Sequence, residues 1–223
     1  MEPNVILPRV VWISALGAAA VSCGGGQTAP RTSDSPVDSV VPVRGDTLSG
    51  TLIPAGFGTL RQDDISIRLE IGGKQVKALP LDESVIRTLS ADSYRALRGL
   101  QESVKAQIND VAQRSGTQRY SLWYVSFYGI QPDARFSPRD VIITSSGRDF
   151  RPIDVLPLSS GFGSQRLAQR EVQQAIYLFD AAVDLSQPLT VTIEGTVSTS
   201  WGSTLRRVEL ERALIRSRAS RGS

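Results

Sequence analysis

Apolar and polar residues alternate in one stretch near the start of the chain's central region. From residue 65 to residue 71 every second side chain is apolar, namely Ile65, Ile67, Leu69 and Ile71. This period of two is typical of a β-strand with one face in a core and one face in water. Gly72 and Gly73 follow, and glycine tolerates the positive φ angles of a tight turn. Residues 76–79 are therefore predicted to return as the antiparallel partner strand.

A different spacing follows between residues 90 and 115. Apolar residues there recur at intervals of three and four and make one stripe: Tyr94, Leu97, Leu100, Val104, Ile108 and Val111. This spacing predicts a single long amphipathic helix that packs against a sheet. Ser90 is a candidate N-cap, and Gly116 is a candidate stop just beyond the helix. A shorter helical turn is predicted before it, over residues 82–89.

The rest of the central region has the pattern of short strands separated by turns. Residues 119–130 are apolar on both faces, which indicates a strand in the centre of a sheet. Further strands are predicted at residues 140–144 and 150–156 around a turn at 145–147, at 174–179, and at 189–197 and 205–210 around a turn at 200–203. Together these elements predict a mainly β, α+β fold: an antiparallel sandwich with one long inserted helix.

The first 46 residues have a different composition. After Arg9, an apolar run from Val10 to Val21 is closed by small residues, as in an export signal. The run is too short for a membrane-spanning helix, which needs about 20 apolar residues. Residues 24–46 are rich in Gly, Ser, Thr, Pro and Asp and predict a flexible linker. The expected organisation is a signal peptide at 1–22, a linker at 23–46, one domain at 47–215 and a basic, disordered tail at 216–223.

The junction of leader and linker carries the chain's single cysteine. Ala20-Val21-Ser22-Cys23 resembles the lipobox of bacterial lipoproteins, although Ala20 stands where leucine is commonest. The resemblance implies that Cys23 is the lipidation site: its thiol receives a diacylglyceryl group, and a peptidase cuts before it. Gly24 follows the cysteine instead of an aspartate, which in the Gram-negative family implies the outer membrane. The alternative is an ordinary secretory signal, which would leave a bare thiol at the mature N-terminus.

Residues 124–194 resemble the telokin-like, immunoglobulin-like domains found in bacterial lipoproteins. The resemblance rests on three segments: Phe136-Ser137-Pro138-Arg139-Asp140-Val141, Gly147-Arg148-Asp149-Phe150-Arg151-Pro152 and Ala175-Ile176-Tyr177-Leu178-Phe179-Asp180. It covers about a third of the chain and implies a β-sandwich with no catalytic residues to carry over. The predicted helix at 90–115 departs from a plain sandwich.

Composition removes several kinds of chemistry. The chain has no histidine, one cysteine and one methionine. Catalysis by serine–histidine or cysteine–histidine groups, and zinc or soft-metal sites, are therefore not expected, and no cofactor is predicted. Two carboxylate pairs are the alternative, as in a glycosidase: Asp63 with Asp64, or Glu209 with Glu211. A serine activated by lysine could use Lys74, Lys77 or Lys105, but solvation is the default expectation for Lys74, beside a turn, and for Lys105, on the helix.

The net charge of +3 is too small to predict a nucleic-acid partner. The basic residues concentrate in residues 205–223, which contain two glutamates and six arginines: Arg206, Arg207, Arg212, Arg216, Arg218 and Arg221. The leading hypothesis is a non-catalytic binding or structural module, tethered to membrane lipid through acylated Cys23, which contacts another envelope protein or a surface polymer. The alternatives are an envelope hydrolase of the carboxylate type and a polyanion binder that uses these arginines.

Overall fold

The computed structural model describes residues 52–117 and 119–221, the side chain of Arg221 excepted. The predicted leader, linker and Cys23 lie outside these residues, as does the start predicted for the domain at residue 47. The described part is an α+β fold with several antiparallel sheets. Its strands are β1 Ile67–Ile71, β2 Lys74–Pro80, β3 Tyr120–Gly129, β4 Ala134–Arg135, β5 Val141–Ser145, β6 Arg148–Phe150, β7 Asp154–Pro157, β8 Arg166–Leu167, β9 Val172–Asp180, β10 Leu189–Ile193 and β11 Thr196–Ser198. Its α-helices are α1 Glu83–Ile86, α2 Ala91–Ser103, α3 Lys105–Ser115 and α4 Trp201–Arg221.

The largest sheet has five strands in the order β1-β2-β3-β9-β7, all antiparallel. The hairpin predicted at Gly72 and Gly73 is confirmed, since both have positive φ and the strands pair from Ile71 to Lys74. The central position predicted for residues 119–130 is also confirmed. Trp123 and Phe127 are buried on one face of β3, whereas Tyr128, near the end of the strand on the other face, is exposed.

A second sheet has four strands in the order β11-β10-β5-β6. The predicted hairpin at residues 145–147 is confirmed, with positive φ at Ser146 and Gly147. Two predicted strands are divided, however. Residues 189–197 turn back at Glu194 and Gly195, so they form the hairpin of β10 and β11. Of residues 150–156, Phe150 ends β6 in this sheet and residues 154–156 belong to β7 of the five-stranded sheet, because the chain crosses between the sheets near Pro152.

The long helix predicted at 90–115 is present but divided at Val104. The amide of Val104 bonds to the carbonyl of Gln101, an i to i−3 bond that tightens and ends α2 before α3 begins. Gly116, in the left-handed conformation, ends α3 as predicted. The apolar stripe belongs to the core, with Leu97, Val104, Ile108 and Val111 buried.

The C-terminal prediction is wrong. Residues 205–210 are not a strand but lie within α4, and residues 216–221, predicted as disordered, continue that helix. The physical reason is the spacing of the buried residues Trp201, Leu205, Val208, Arg212 and Ile215, which recur at three and four and not at two. Trp201 was expected in a turn, but its indole is fully buried and donates to the carbonyl of Leu185 (3.2 Å).

Candidate functional site

The candidate site within the domain begins at a buried charge on β2. Lys74 opens this strand, and its side chain is only 2% exposed. Its Nζ lies 2.6 Å from Oε2 of Glu194, whose side chain is 20% exposed. The expectation that Lys74 is solvated is therefore wrong, because the ion pair takes the place of water around the ammonium.

Glu194 occupies an unusual backbone position in order to make this contact. It has φ +47° in the turn between β10 and β11, a conformation that favours glycine or asparagine. Its second carboxylate oxygen accepts a hydrogen bond from the amide of Ser137 (2.8 Å). One carboxylate thus connects the β1–β2 hairpin, the β10–β11 turn and the segment between β4 and β5.

A buried tyrosine lies on the same side of the five-stranded sheet. Tyr177 is fully buried in β9, and its hydroxyl has no hydrogen-bond partner among the described residues. Burial, with the charge of Glu194 as a smaller cause, raises the pKa of Tyr177 far above its usual value. The phenol therefore stays neutral.

Ser137 also belongs to an open cleft of about 330 Å³ on the surface of the domain. Three aromatic rings pack together beside it: Phe136 stacks on Phe127 with ring centroids 4.4 Å apart, and Phe162 lies tilted against Phe136 at 5.2 Å. The residues that line the cleft are Ser137, Pro138, Arg139, Val155, Phe162, Gly163 and Gln165. The arrangement combines an apolar floor with an exposed guanidinium, so it suits contact with a chain that offers an apolar group next to an acceptor.

The carboxylates of the first predicted pair, Asp63 and Asp64, accept hydrogen bonds from neighbouring residues. Asp63 accepts from Arg68 (2.5 Å) and from Lys77 (3.2 Å). The hydrogen bond from Arg68 lowers the pKa of Asp63, with a smaller contribution from Lys77. Asp64 instead accepts from the amide of Arg61 (2.8 Å), as a cap of the short 3₁₀ turn. The two carboxylates therefore stabilise local structure.

The second predicted pair does not share a face. Two residues apart on α4, Glu209 and Glu211 point about 200° apart around the helix. Glu211 is buried and accepts from the amide and the hydroxyl of Thr59, both at 3.0 Å, and from Arg218 (2.9 Å). Glu209 is exposed. The prediction that residues 205–210 form a strand implied that Glu209 and Glu211 share a face, and this is wrong because the segment is helical.

The other two lysines are likewise paired with carboxylates. Lys77 lies beside Asp63, and Lys105 lies 3.4 Å from Glu102 on the exposed side of the helices. Neither lysine has a serine hydroxyl among the contacts that the described residues show. The geometry gives no support to a serine activated by lysine.

Three of the C-terminal arginines hold α4 against the domain. Arg212 is buried and donates to the carbonyl of Ser84 (2.7 Å). Arg207 donates to the carbonyl of Asp64 (2.7 Å), and Arg218 to that of Phe57 (3.0 Å). The cluster predicted from composition is therefore partly structural, which a count of charges could not indicate.

Within residues 52–117 and 119–221, no group of three acidic, cysteine or histidine side chains is arranged to hold a metal ion. The helices of this same part include none with the length and apolarity needed to cross a bilayer.

No family model matches the chain, and no curated protein or solved structure is detectably similar to it. The two resemblances drawn from its motifs therefore stay predictions.

Sequence reasoning missed Glu194, Tyr177 and the burial of Lys74. One signal was present: Glu194 and Gly195 interrupt an otherwise alternating apolar stretch, as a two-residue turn does. Glutamate is not a usual residue of such turns, so the pattern did not predict one. The burial of Lys74 arises from contacts between distant segments, and no local pattern carries that information.

Proposed function

We propose that this chain is a bacterial lipoprotein of the outer membrane, anchored through lipid on Cys23, whose exported domain acts by contact and not by catalysis. The observation that carries the proposal is the position of the only cysteine, directly after a short apolar run that ends in small residues. A thiol used once, at the place where a lipobox requires it, is best explained by acylation. One lipid chain binds a membrane weakly, whereas two or three give stable anchoring.

The contacts of the domain support the second half of the proposal. All the carboxylates and lysines considered for catalysis except the exposed Glu209 are engaged in ion pairs or caps. The cleft beside Ser137 offers an apolar floor and a guanidinium, which suits a segment of another envelope protein or a surface polymer. We further propose an immunoglobulin-like sandwich, because residues 124–194 supply strands to both the five-stranded and the four-stranded sheet.

Anchoring can be tested by fractionating cells that express the full chain or its Cys23→Ala variant. The wild-type chain should sediment with membranes and partition into detergent. The variant should lose this partitioning, because lipid cannot be attached to alanine. Equal membrane association of the two chains would contradict the proposal.

The cleft can be tested by photo-crosslinking in intact cells. Gly163 lines the cleft, and a Cβ added there meets no atom within 4 Å, so a photoreactive side chain fits without a clash. Gly99 on α2 is a matched control, since its Cβ would also meet nothing within 4 Å. Adducts of one defined size are expected at position 163 and not at position 99. The same adducts at both positions, or none at position 163, would contradict a binding role of the cleft.

A further inference from the structure

The outward side of α4 carries two exposed leucines. Trp201, Val208 and Ile215 are fully buried on the side that faces the domain. Leu210 and Leu214, one turn apart on the opposite side, are 64% and 43% exposed. Large apolar side chains that remain exposed at adjacent positions of one helix indicate an interaction surface more strongly than isolated ones do.

A third exposed apolar side chain belongs to the segment that lies alongside α4. Arg218 follows Leu214 by one turn of α4, and its guanidinium donates to the carbonyl of Phe57 (3.0 Å). The amide of Thr59 bonds to Glu211 on the same helix (3.0 Å), which holds the segment around Phe57 alongside α4. The Phe57 side chain is 52% exposed. We call the surface formed by Phe57, Leu210 and Leu214 the α4 face.

Exposed arginines lie along α4, and Arg206, Arg207 and Arg218 flank the α4 face. Arg206, Arg207, Arg216 and Arg218 are exposed on α4, and Arg206 and Arg216 have no ion-pair or hydrogen-bond partner among the described residues. Arg207 donates to a backbone carbonyl, which leaves its positive charge uncompensated. Glu209 is the exposed acid of this helix, and the carboxylate of Glu211 is buried against Arg218. The surface therefore combines apolar side chains with excess positive charge.

The position of the α4 face in the chain favours one occupant. Phe57 follows Leu52, the first described residue, by five positions, and the predicted linker from Cys23 ends shortly before it, at residue 46. Lipid on Cys23 would hold this end of the domain near a bilayer. We infer that the α4 face docks on the surface of an anionic lipid bilayer, with the leucines and Phe57 at the level of the headgroups and the arginines on the phosphates. The orientation rests on the proposed anchor, but the binding surface does not.

A second copy of the chain fits the α4 face less well. Two such faces in contact would bring the arginines of both copies together, and like charges repel across an interface. An anionic bilayer neutralises them instead. Each basic residue near an anionic surface strengthens binding by about fivefold.

The test uses the mature chain, residues 23–223, with Cys23→Ala so that lipid cannot contribute. Its cosedimentation is measured with vesicles of phosphatidylglycerol and phosphatidylcholine, and with vesicles of phosphatidylcholine alone. We expect binding to the anionic vesicles that weakens as salt is added. Leu210→Ser with Leu214→Ser should weaken it by about tenfold or more. Arg206→Gln should weaken it by about fivefold.

Matched controls separate the α4 face from general effects. Val197→Ser removes an exposed apolar side chain from β11, and Arg151→Gln removes an exposed charge from the segment between β6 and β7. Both control variants should bind the vesicles as the parent chain does. Circular dichroism should show that all variants remain folded.

Several results would overturn the inference. Equal binding to neutral and anionic vesicles would do so, as would unchanged binding of the leucine and arginine variants. A dimer in solution that Leu210→Ser disrupts would assign the α4 face to a second copy. If the Cys23→Ala chain fails to bind anionic vesicles although Cys23 of the native chain carries lipid, this inference alone is refuted. If the Cys23→Ala chain binds the vesicles but Cys23 of the native chain carries no lipid, the anchor alone is refuted.

Discussion

Lys74 and Glu194 hold together three segments that are far apart in the sequence. A buried ammonium without a partner is strongly destabilising. Removing one member of the pair therefore costs more stability than the intact pair contributes relative to uncharged side chains. Glu194 also accepts the strain of a positive φ, about 1–2 kcal/mol for a residue other than glycine. Its two contacts, with Lys74 and with the amide of Ser137, offset this strain.

Breaking the pair at one end should be costly. Glu194→Gln leaves Lys74 buried without a counter-charge, and we expect the free energy of unfolding to fall by about 3 kcal/mol. Adding Lys74→Met should recover much of the loss, because the remaining side chains are uncharged. Urea denaturation of the single and double variants measures both effects. Lys77→Met, which breaks a more exposed pair with Asp63, is the control and should cost about 1 kcal/mol or less. Equal losses for Glu194→Gln and Lys77→Met would contradict the burial of Lys74.

Asp63 gives a prediction about pH. Because Arg68 lowers its pKa below the ordinary value of 3.8, the ionised form stabilises the folded state. This contribution is fully present above pH 3.8 and is lost as the pH falls through the lowered pKa. Asp63→Asn should therefore reduce stability at neutral pH, by less than about 1 kcal/mol because the pair is exposed. The difference between wild type and variant should shrink toward zero in acid. Thermal denaturation across this pH range checks the trend, and a difference that grows in acid would contradict it.

At the level of elements, turns with glycine were the most predictable features. Three hairpins turn through two residues of positive φ: Gly72–Gly73, Ser146–Gly147 and Glu194–Gly195. The first two could be predicted because their residues suit that conformation. The third could not be predicted, because glutamate does not favour positive φ and its contact with Lys74 stabilises it there. Local propensity predicts a turn only when no distant contact overrides it.

The error at α4 has a different cause. Val208 and Leu210 alternate with charged residues as in a strand, but Leu210 is exposed and belongs to the outward side of a helix. The helical stripe is completed by Arg212, a charged residue that is buried through its bond to Ser84. A pattern that counts only apolar side chains therefore misses part of the buried face.

Neighbouring positions at the end of α4 test whether this segment is structural. Ile215 is fully buried, whereas Leu214 is exposed. Ile215→Ala should lower the free energy of unfolding by about 2–5 kcal/mol, since it leaves a cavity. Leu214→Ala should change it by less than about 0.5 kcal/mol. Denaturant midpoints of the two variants decide the matter. Equal, small effects would mean that the chain beyond residue 212 does not pack on the domain.

Two glycines provide a second matched test. A Cβ at Gly58 would lie 2.0 Å from the carbonyl oxygen of Thr88, where the segment before β1 passes close to the end of α1. Gly58→Ala should therefore destabilise the domain by more than about 2 kcal/mol, because backbone must shift. Gly99→Ala meets no atom within 4 Å inside α2 and should stabilise it by about 0.5–1 kcal/mol. Opposite signs in the shift of the melting temperature are expected. A tolerated alanine at Gly58 would contradict this close approach.

At the scale of the whole molecule, the sequence was sufficient for the α+β class and for most of the strands. The central position of β3 followed from its two apolar faces, and the helical stripe of α2 and α3 followed from its spacing. The division of β6 and β7 between two sheets could not be predicted, because strand order depends on pairings between distant segments. The cleft beside Ser137 and the α4 face depend on the same pairings, so neither could be predicted.

Under the proposed anchor, the predicted leader and the single cysteine would decide where the molecule acts, and the contacts of the domain support a role by contact. Lipid on Cys23 would place the domain at a membrane, and the α4 face would set its orientation there. The cleft would remain available to a partner. This division of roles makes the anchor the central claim.

Mass spectrometry of the N-terminal peptide, taken from the chain produced in a Gram-negative cell, tests that claim most directly. We predict that the mature chain begins at Cys23 and that this residue carries the added mass of a diacylglyceryl group. A mature chain that begins elsewhere, or one in which Cys23 has a free thiol, would contradict the account.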